Sequence, residues 1–409
     1  TCQLRTMVSV SNPQFQVKLI NPSLIQSYLS FSPLACIHAL AMFGQTVLWT
    51  LIASLATRPN LEAPSSIPCL ETSNNFTALI DCFDAYTVPA QFYTTESHAA
   101  AQPSRDELAA WVQVVHAMLD SSISVSVSAP HTHPAIPAAL APSYHLATFT
   151  DGPTNRSYTV LSERYAVRGY YARGWGLFVV PTPTTAPRRR ANAYLSAPHA
   201  GYDLYTPQQA GALFHLAQAR SVLIAGRARQ ALHRVSACQP ARGYWATDPA
   251  HDVAEPFFAA SKAIFDWDRA QDVRATFVQM HGKARSSCPS DMAFISAGVG
   301  PSVFYDTPLA APIHRLTAAL ISRFPAWRVS TPNTSPCSLL ATDNVFGRLV
   351  NGVAEGDLCE TVAAEGDVTG RFVHIEQAMG ARMPGDGQAF WRGWAEAMLD
   401  AWGSRSEFG

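Results

Sequence analysis

Four residues in the second half of the chain have the types and order that metal-assisted hydrolysis requires: His199, Asp203, His281 and Glu376. His199 closes the apolar run Ala193-Tyr-Leu-Ser-Ala-Pro-His, His281 closes Ala275-Thr-Phe-Val-Gln-Met-His, and Glu376 closes Arg371-Phe-Val-His-Ile-Glu. Each run reads as a strand. A buried strand gains nothing from an imidazole or a carboxylate at its last position unless a partner waits there, and sites in open α/β sheets gather at the carboxyl ends of strands. Catalysis at a zinc ion needs three protein ligands, an open position, and a carboxylate near the attacking water. His199, Asp203 and His281 supply two imidazoles and one carboxylate. Gly201, between His199 and Asp203, lets the loop fold both side chains towards one ion. Glu376 is then the base that takes the water's proton and delivers it to the leaving nitrogen.

Other candidates compete with this set. Asp248-Pro-Ala-His251-Asp-Val-Ala-Glu255 puts His251 and Glu255 one turn apart on a helix expected from Ala250 to Phe265, with Asp248 as its cap. His251 is a candidate contact for substrate. Cys288 follows His281 closely enough for a Cys–His nucleophilic pair, although a disulfide, with Cys238, fits a secretory chain better. The histidines of Pro130-His-Thr-His-Pro lack further ligands and read as a loop. No Gly-x-Ser-x-Gly elbow and no phosphate-binding glycine loop occurs, and Gly298-Val-Gly300 reads as a turn.

The elements that must position these groups alternate. Strands are expected at 176–181, 193–199, 221–226, 275–281, 327–330 and 371–376, with helices at 207–219, 250–265, 314–324 and 388–402. This alternation implies an α/β fold of three layers, a mostly parallel mixed sheet with helices on both faces. Upstream, Ser104 and Glu107 have capping-box spacing before an amphipathic helix. Residues 57–75 read as a linker. The expected organisation is a signal peptide or signal anchor over 1–57, an extension over 58–157 packing on the core, an α/β catalytic domain over 158–402 and a tail over 403–409.

Of the 409 residues, 48% are hydrophobic and 14% charged, enough apolar material for a large core. The formal net charge of −1 provides no basic field for nucleic acid. The eight cysteines contain no Cys-x-x-Cys pair, which argues against a zinc ribbon or a thioredoxin-like redox site. Six of them follow the apolar segment 33–56, together with sequons at Asn75, Asn155 and Asn333. This combination favours an oxidising, secretory setting. Cys69–Cys82 and Cys337–Cys359 are the expected short-loop disulfides. The apolar segment reads as a cleaved signal peptide, with Met42 a candidate start, or as an anchor; a membrane contact is expected only in the second case.

The motifs His199-Ala-Gly-Tyr-Asp203, Ser221-Val-Leu-Ile-Ala-Gly-Arg227-Ala-Arg229, Phe277-Val-Gln-Met-His281-Gly282 and Phe372-Val-His-Ile-Glu376, in this order, resemble the zinc carboxypeptidase-like superfamily. The closest branch is the N-formylglutamate amidohydrolase and poly-γ-glutamate hydrolase type. The resemblance covers about residues 158–380. It implies a zinc-exopeptidase-like fold, a bound zinc, hydrolysis of an amide bond in a peptide or N-acyl amino acid, and an arginine that receives a substrate carboxylate. Arg229 is the best match for that role and Arg227 the second, since a guanidinium fork suits a carboxylate. The first motif departs from the superfamily's commoner His-x-x-Glu. A metal-dependent deacylase or esterase, or an inactive secreted binding protein of the same fold, are the alternatives.

Overall fold

The computed structural model describes residues 64–123, 135–182 and 189–405. The apolar segment 33–56, His131, His133 and the last four residues lie outside the described residues. Among those described, no helix is long and apolar enough to cross a membrane.

Nine strands form the main sheet: β1 (Tyr144–Asp151), β2 (Arg156–Glu163), β3 (Leu177–Pro181), β4 (Ala193–Ala197), β5 (Ser221–Ile224), β6 (Thr276–Gly282), β7 (Ala293–Ser296), β8 (Val329–Ser330) and β9 (Phe372–Gln377). Their spatial order is β8-β7-β9-β6-β4-β5-β3-β2-β1. Parallel pairing joins the central run β9-β6-β4-β5 and the edge pair β8-β7. The remaining neighbours are antiparallel. The principal helices are α1 (Phe76–Asp84), α2 (Arg105–Ile123), α3 (Thr206–Ala217), α4 (Pro256–Ala270), α5 (Ala311–Arg323), α6 (Val345–Val350), α7 (Met379–Arg382) and α8 (Ala389–Trp402). The fold is therefore α/β, a mixed sheet with helices around it, as the sequence implies.

Strand alternation separates the two faces. Phe277 on β6 packs against Phe265 of α4 and Phe346 of α6. Gln279 and His281 point the same way as Phe277, and so do their β9 neighbours His374 and Glu376, paired in register with Gln279 and His281. Gln377 points to the opposite face, where its amide exchanges hydrogen bonds with that of Gln209 on α3. The parallel strands thus end together, and their polar last residues share the face that carries α4 and α6.

Several local readings change. The helix expected from Ala250 begins at Pro256, whose fixed φ suits a first helical position. Residues 248–255 instead form turns closed by His251 N–H and Asp252 N–H on the Asp248 carbonyl. His251 and Glu255 therefore do not share a helix face. Strands β1, β2 and β7 are additional to those read from the sequence. Part of the expected linker is structured: Cys69–Thr72 is a short helix, tied to α1 by Cys69–Cys82. The Ser104–Glu107 capping box is present, with Ser104 N–H donating to the Glu107 carboxylate at 2.7 Å.

Cys69–Cys82 has the expected pairing. The other two disulfides are Cys238–Cys359 and Cys288–Cys337, which replaces the expected Cys337–Cys359 and the alternative Cys238–Cys288. Chain folding, not loop length, decides these partners, because each of the two bridges joins segments far apart in sequence. Loops of 121 and 49 residues are closed in this way. Replacing Cys238 and Cys359 by Ala is expected to lower unfolding free energy by about 2–5 kcal/mol, read from denaturant unfolding with the slope fitted separately, since loss of the cross-link lets the unfolded chain expand.

Candidate metal centre

His199 lies just past the end of β4. Gly201, at φ +70, turns the chain so that Asp203 N–H donates to the His199 carbonyl at 2.9 Å. The turn brings the two side chains together, with His199 Nδ1 at 3.1 Å from Asp203 Oδ2. His281, at the end of the neighbouring parallel β6, places its Nδ1 at 3.2 Å from His199 Nδ1 and 3.6 Å from the same Asp203 oxygen. All three side chains are buried.

The far side of each imidazole fixes its proton. His199 Nε2 faces Asp248 Oδ1 at 3.1 Å and donates to it. His281 Nε2 faces Gln279 Oε1 at 3.3 Å. That oxygen is identified by Asn344, whose Nδ2 donates to it at 2.7 Å, and Asn344 is itself oriented by accepting from Gly347 N–H at the start of α6. With both Nε2 atoms protonated, two Nδ1 lone pairs and a carboxylate oxygen converge with no proton between them. Such an arrangement requires a cation, either a proton or a metal ion. Ligand atoms about 2.0–2.1 Å from a tetrahedral zinc stand about 3.3–3.4 Å apart. The observed separations bracket that value, so the residues fit the ion. Asp248 and Gln279 stand where they would orient the two imidazoles towards an ion.

The electrostatics agree. Burial opposes charge on His199, as does Arg229, but Asp248 and Asp203 outweigh them and raise its pKa. Burial would also raise Asp203, yet the two imidazoles hold its carboxyl well below the usual range. Burial pushes His281 down to about 4, which keeps its ring neutral. The proton favoured on His199 is the one that a metal ion would replace.

These groups line a cavity of about 330 Å³, together with Glu376, His374, Tyr202, Arg229, His251, Gly282 and Lys283. Burial, with the nearby Asp203 charge, pushes Glu376 up to about 8. His251 borders the cavity; its Nδ1 donates to Asp248 Oδ1 at 3.0 Å and its ring stacks on Tyr244 at 3.7 Å. Arg229 also borders it, but its guanidinium is paired with Asp248 Oδ2 at 2.5 Å. Arg227 does not line the cavity: it is 1% exposed and forks onto Glu255 at 2.8 and 2.9 Å. The His251–Asp248–His199 cluster is less suited to an ion, because Asp248 Oδ1 already accepts from both rings and from Ala250 N–H.

Sequence reasoning missed Gln279, Asn344 and His374, and took Asp248 only for a cap. Gln279 and His374 carried one available signal, since each is a polar residue two positions before a strand-end candidate, on the same face. Asn344 reaches the site from another element, and no local pattern marks it.

No family model and no curated protein matches the sequence. Among solved structures, the gene product Atu2144 of Agrobacterium tumefaciens is 11% identical with a TM-score of 0.28, over 52% of this chain and 89% of that one. A candidate metallopeptidase of Shewanella denitrificans is 11% identical with a TM-score of 0.24, over 72% and 88%. Likenesses this low carry no weight for function, which rests on the site itself.

One divalent ion per chain is expected in a calorimetric titration of metal-free protein with zinc. Asp203→Ala and His281→Ala should abolish it, and Asp248→Asn should weaken it about 10- to 100-fold. The raised pKa of His199 sets the sign of the pH dependence: its proton competes with the ion, so affinity falls as pH falls, about tenfold per unit for each proton displaced.

Proposed function

We propose that the chain is a secreted zinc-dependent hydrolase acting on an amide bond, of the amidohydrolase or peptidase type. The observation that carries this reading is the convergence of His199 Nδ1, His281 Nδ1 and Asp203 Oδ2 beside the carboxylate of Glu376, in one cavity. Zinc is favoured because the donors are two imidazole nitrogens and one carboxylate oxygen at tetrahedral spacing. A zinc ion held there supplies Lewis acidity to the attacking water and the scissile carbonyl.

The chain's own residues do the rest. Asp248 and Gln279 hold the two rings with their Nδ1 lone pairs inward. The Glu376 carboxylate accepts a proton from the attacking water and returns it to the leaving nitrogen. Its pKa, pushed up to about 8, lies near the range in which a base exchanges protons at neutral pH. The secretory part of the proposal is supported by three disulfides, which persist in oxidising compartments.

Glu376→Gln should reduce turnover of N-acyl amino acids or short peptides by about 10²- to 10⁴-fold while zinc content, measured by elemental analysis, is retained. Unchanged turnover in that variant would falsify Glu376 as the base. Turnover of esters with no amide hydrolysis would move the assignment to an esterase on the same site.

A further inference from the structure

We propose that His374 is a further catalytic residue, whose Nε2–H donates to the oxygen on which charge develops as the amide carbonyl is attacked; the assignment rests on the amide-hydrolase reading.

His374 lies within β9, in register with Gln279 of β6 and on the face that carries His281 and Glu376. It lines the cavity, is 4% exposed, and has its ring centre 4.4 Å from that of His281. The other imidazoles of this cavity are each held by an acceptor: Asp248 for His199 and His251, Gln279 for His281. His374 is held by none. Its Nδ1 is buried with no hydrogen-bond partner. Its Nε2 lies 3.5 Å from Glu376 Oε1, too far for a firm hydrogen bond. Among the described residues, buried side-chain atoms without a hydrogen bond occur in several places, but only His374 carries one on the wall of this cavity.

The surroundings of the ring place its proton. A neutral imidazole offers one N–H and one lone pair. No acceptor lies within reach of Nδ1, whereas Nε2 faces a carboxylate, so the proton belongs on Nε2. That N–H points to the space beside Glu376 and is not used up by a bond within the chain. One nitrogen of His374, one of His281 and a carboxylate oxygen of Glu376 lie within 4.8 Å of one another. An oxygen at hydrogen-bond distance from His374 Nε2 is therefore also next to the base.

Negative charge developing on the substrate needs a donor already in place. The cations of the wall are engaged, Arg229 with Asp248 and Lys283 Nζ with the carbonyls of Ser287 and Cys288. The step then runs with His374 as a fixed donor. The water oxygen bonds to the carbonyl carbon, Glu376 takes the water's proton, and the C=O π pair moves onto the carbonyl oxygen, where the Nε2–H meets it. The pair returns as the C–N bond breaks and Glu376 gives its proton to the leaving nitrogen. The products are a carboxylic acid and an amine, and His374 neither gains nor loses a proton.

The test uses the zinc-loaded full chain, with turnover measured on N-acetylglycine and affinity on its phosphinic analogue, in which a tetrahedral phosphinate replaces the amide carbonyl and a methylene the nitrogen. The native chain should bind the phosphinate at least about tenfold tighter than N-acetylglycine. In His374→Phe, kcat should fall by about 10²- to 10³-fold with zinc content and KM retained. Phosphinate affinity should fall by about 10- to 100-fold. That second loss should persist in a Glu376→Gln background, where no base remains to be positioned. His374→Gln, whose amide reaches the place of Nε2, should recover part of both, whereas His374→Asn, which reaches only that of Nδ1, should not. This pair serves if the phenylalanine variant fails to fold. Native-like kcat and phosphinate affinity in folded His374→Phe or His374→Asn would overturn the assignment. A second zinc per native chain that disappears with His374 would also overturn it, by making the ring a ligand. In either case hydrolysis by the native chain leaves the hydrolase reading standing. A native chain that neither hydrolyses N-acyl amino acids nor prefers the phosphinate overturns that reading and the assignment with it.

Discussion

Two imidazole nitrogens face each other at 3.2 Å, and the other nitrogen of each ring faces an acceptor on the far side. Much of the architecture serves that contact. Lone pairs at this distance repel unless a cation lies between them, and burial removes the water that would screen them. Asp203 adds a third donor atom and most of the neutralising charge. The parallel pairing of β4, β6 and β9 is what brings His199, His281 and Glu376 to one end of the sheet. The shared face of β6 and β9 then brings in Gln279 and His374. Without the supporting acceptors the rings would be free to turn, and the site would reduce to a buried polar cluster.

The supporting groups come from distant parts of the chain. Asp248 belongs to the turns before α4 and takes hydrogen bonds from two rings while pairing with Arg229. Asn344 caps α6 and fixes the Gln279 amide that fixes His281. The Cys288–Cys337 bridge joins the two segments that form the cavity wall beyond β6, one carrying Lys283 and Ser287 and the other Ser338 to Asn344. Covalent closure there limits how far the wall can move away from the site.

The central strands were legible because apolar runs such as Phe277-Val-Gln-Met and Phe372-Val-His-Ile are long enough to show, and their polar last residues stand out against them. The four-residue step from His199 to Asp203 was legible through Gly201, whose positive φ closes the turn. Strand β7 was not, since its four residues, Ala293-Phe-Ile-Ser, are too short to separate from a buried turn. The hairpin of β1 and β2 mixes polar and apolar residues, as in Arg156-Ser-Tyr-Thr-Val-Leu-Ser-Glu163, and so shows no continuous apolar run. The helix expected from Ala250 failed because His251 and Glu255 have helical spacing but different partners, Asp248 and Glu255's own Arg227. Arg229 and Arg227 were chosen by position after a strand, and position cannot reveal that both are already paired. Disulfide partners likewise depend on sheet order, which sequence spacing does not contain.

His199, Asp203 and His281 are proposed to hold one metal ion, and X-ray absorption at the zinc edge of the zinc-loaded protein reads this directly. The expected result is two imidazole nitrogens and light oxygen scatterers at about 2.0–2.2 Å in the native chain, with that bound-zinc spectrum lost in His281→Ala. Sulfur scatterers or a spectrum of hydrated zinc in the native chain, or no change in the variant, would contradict it.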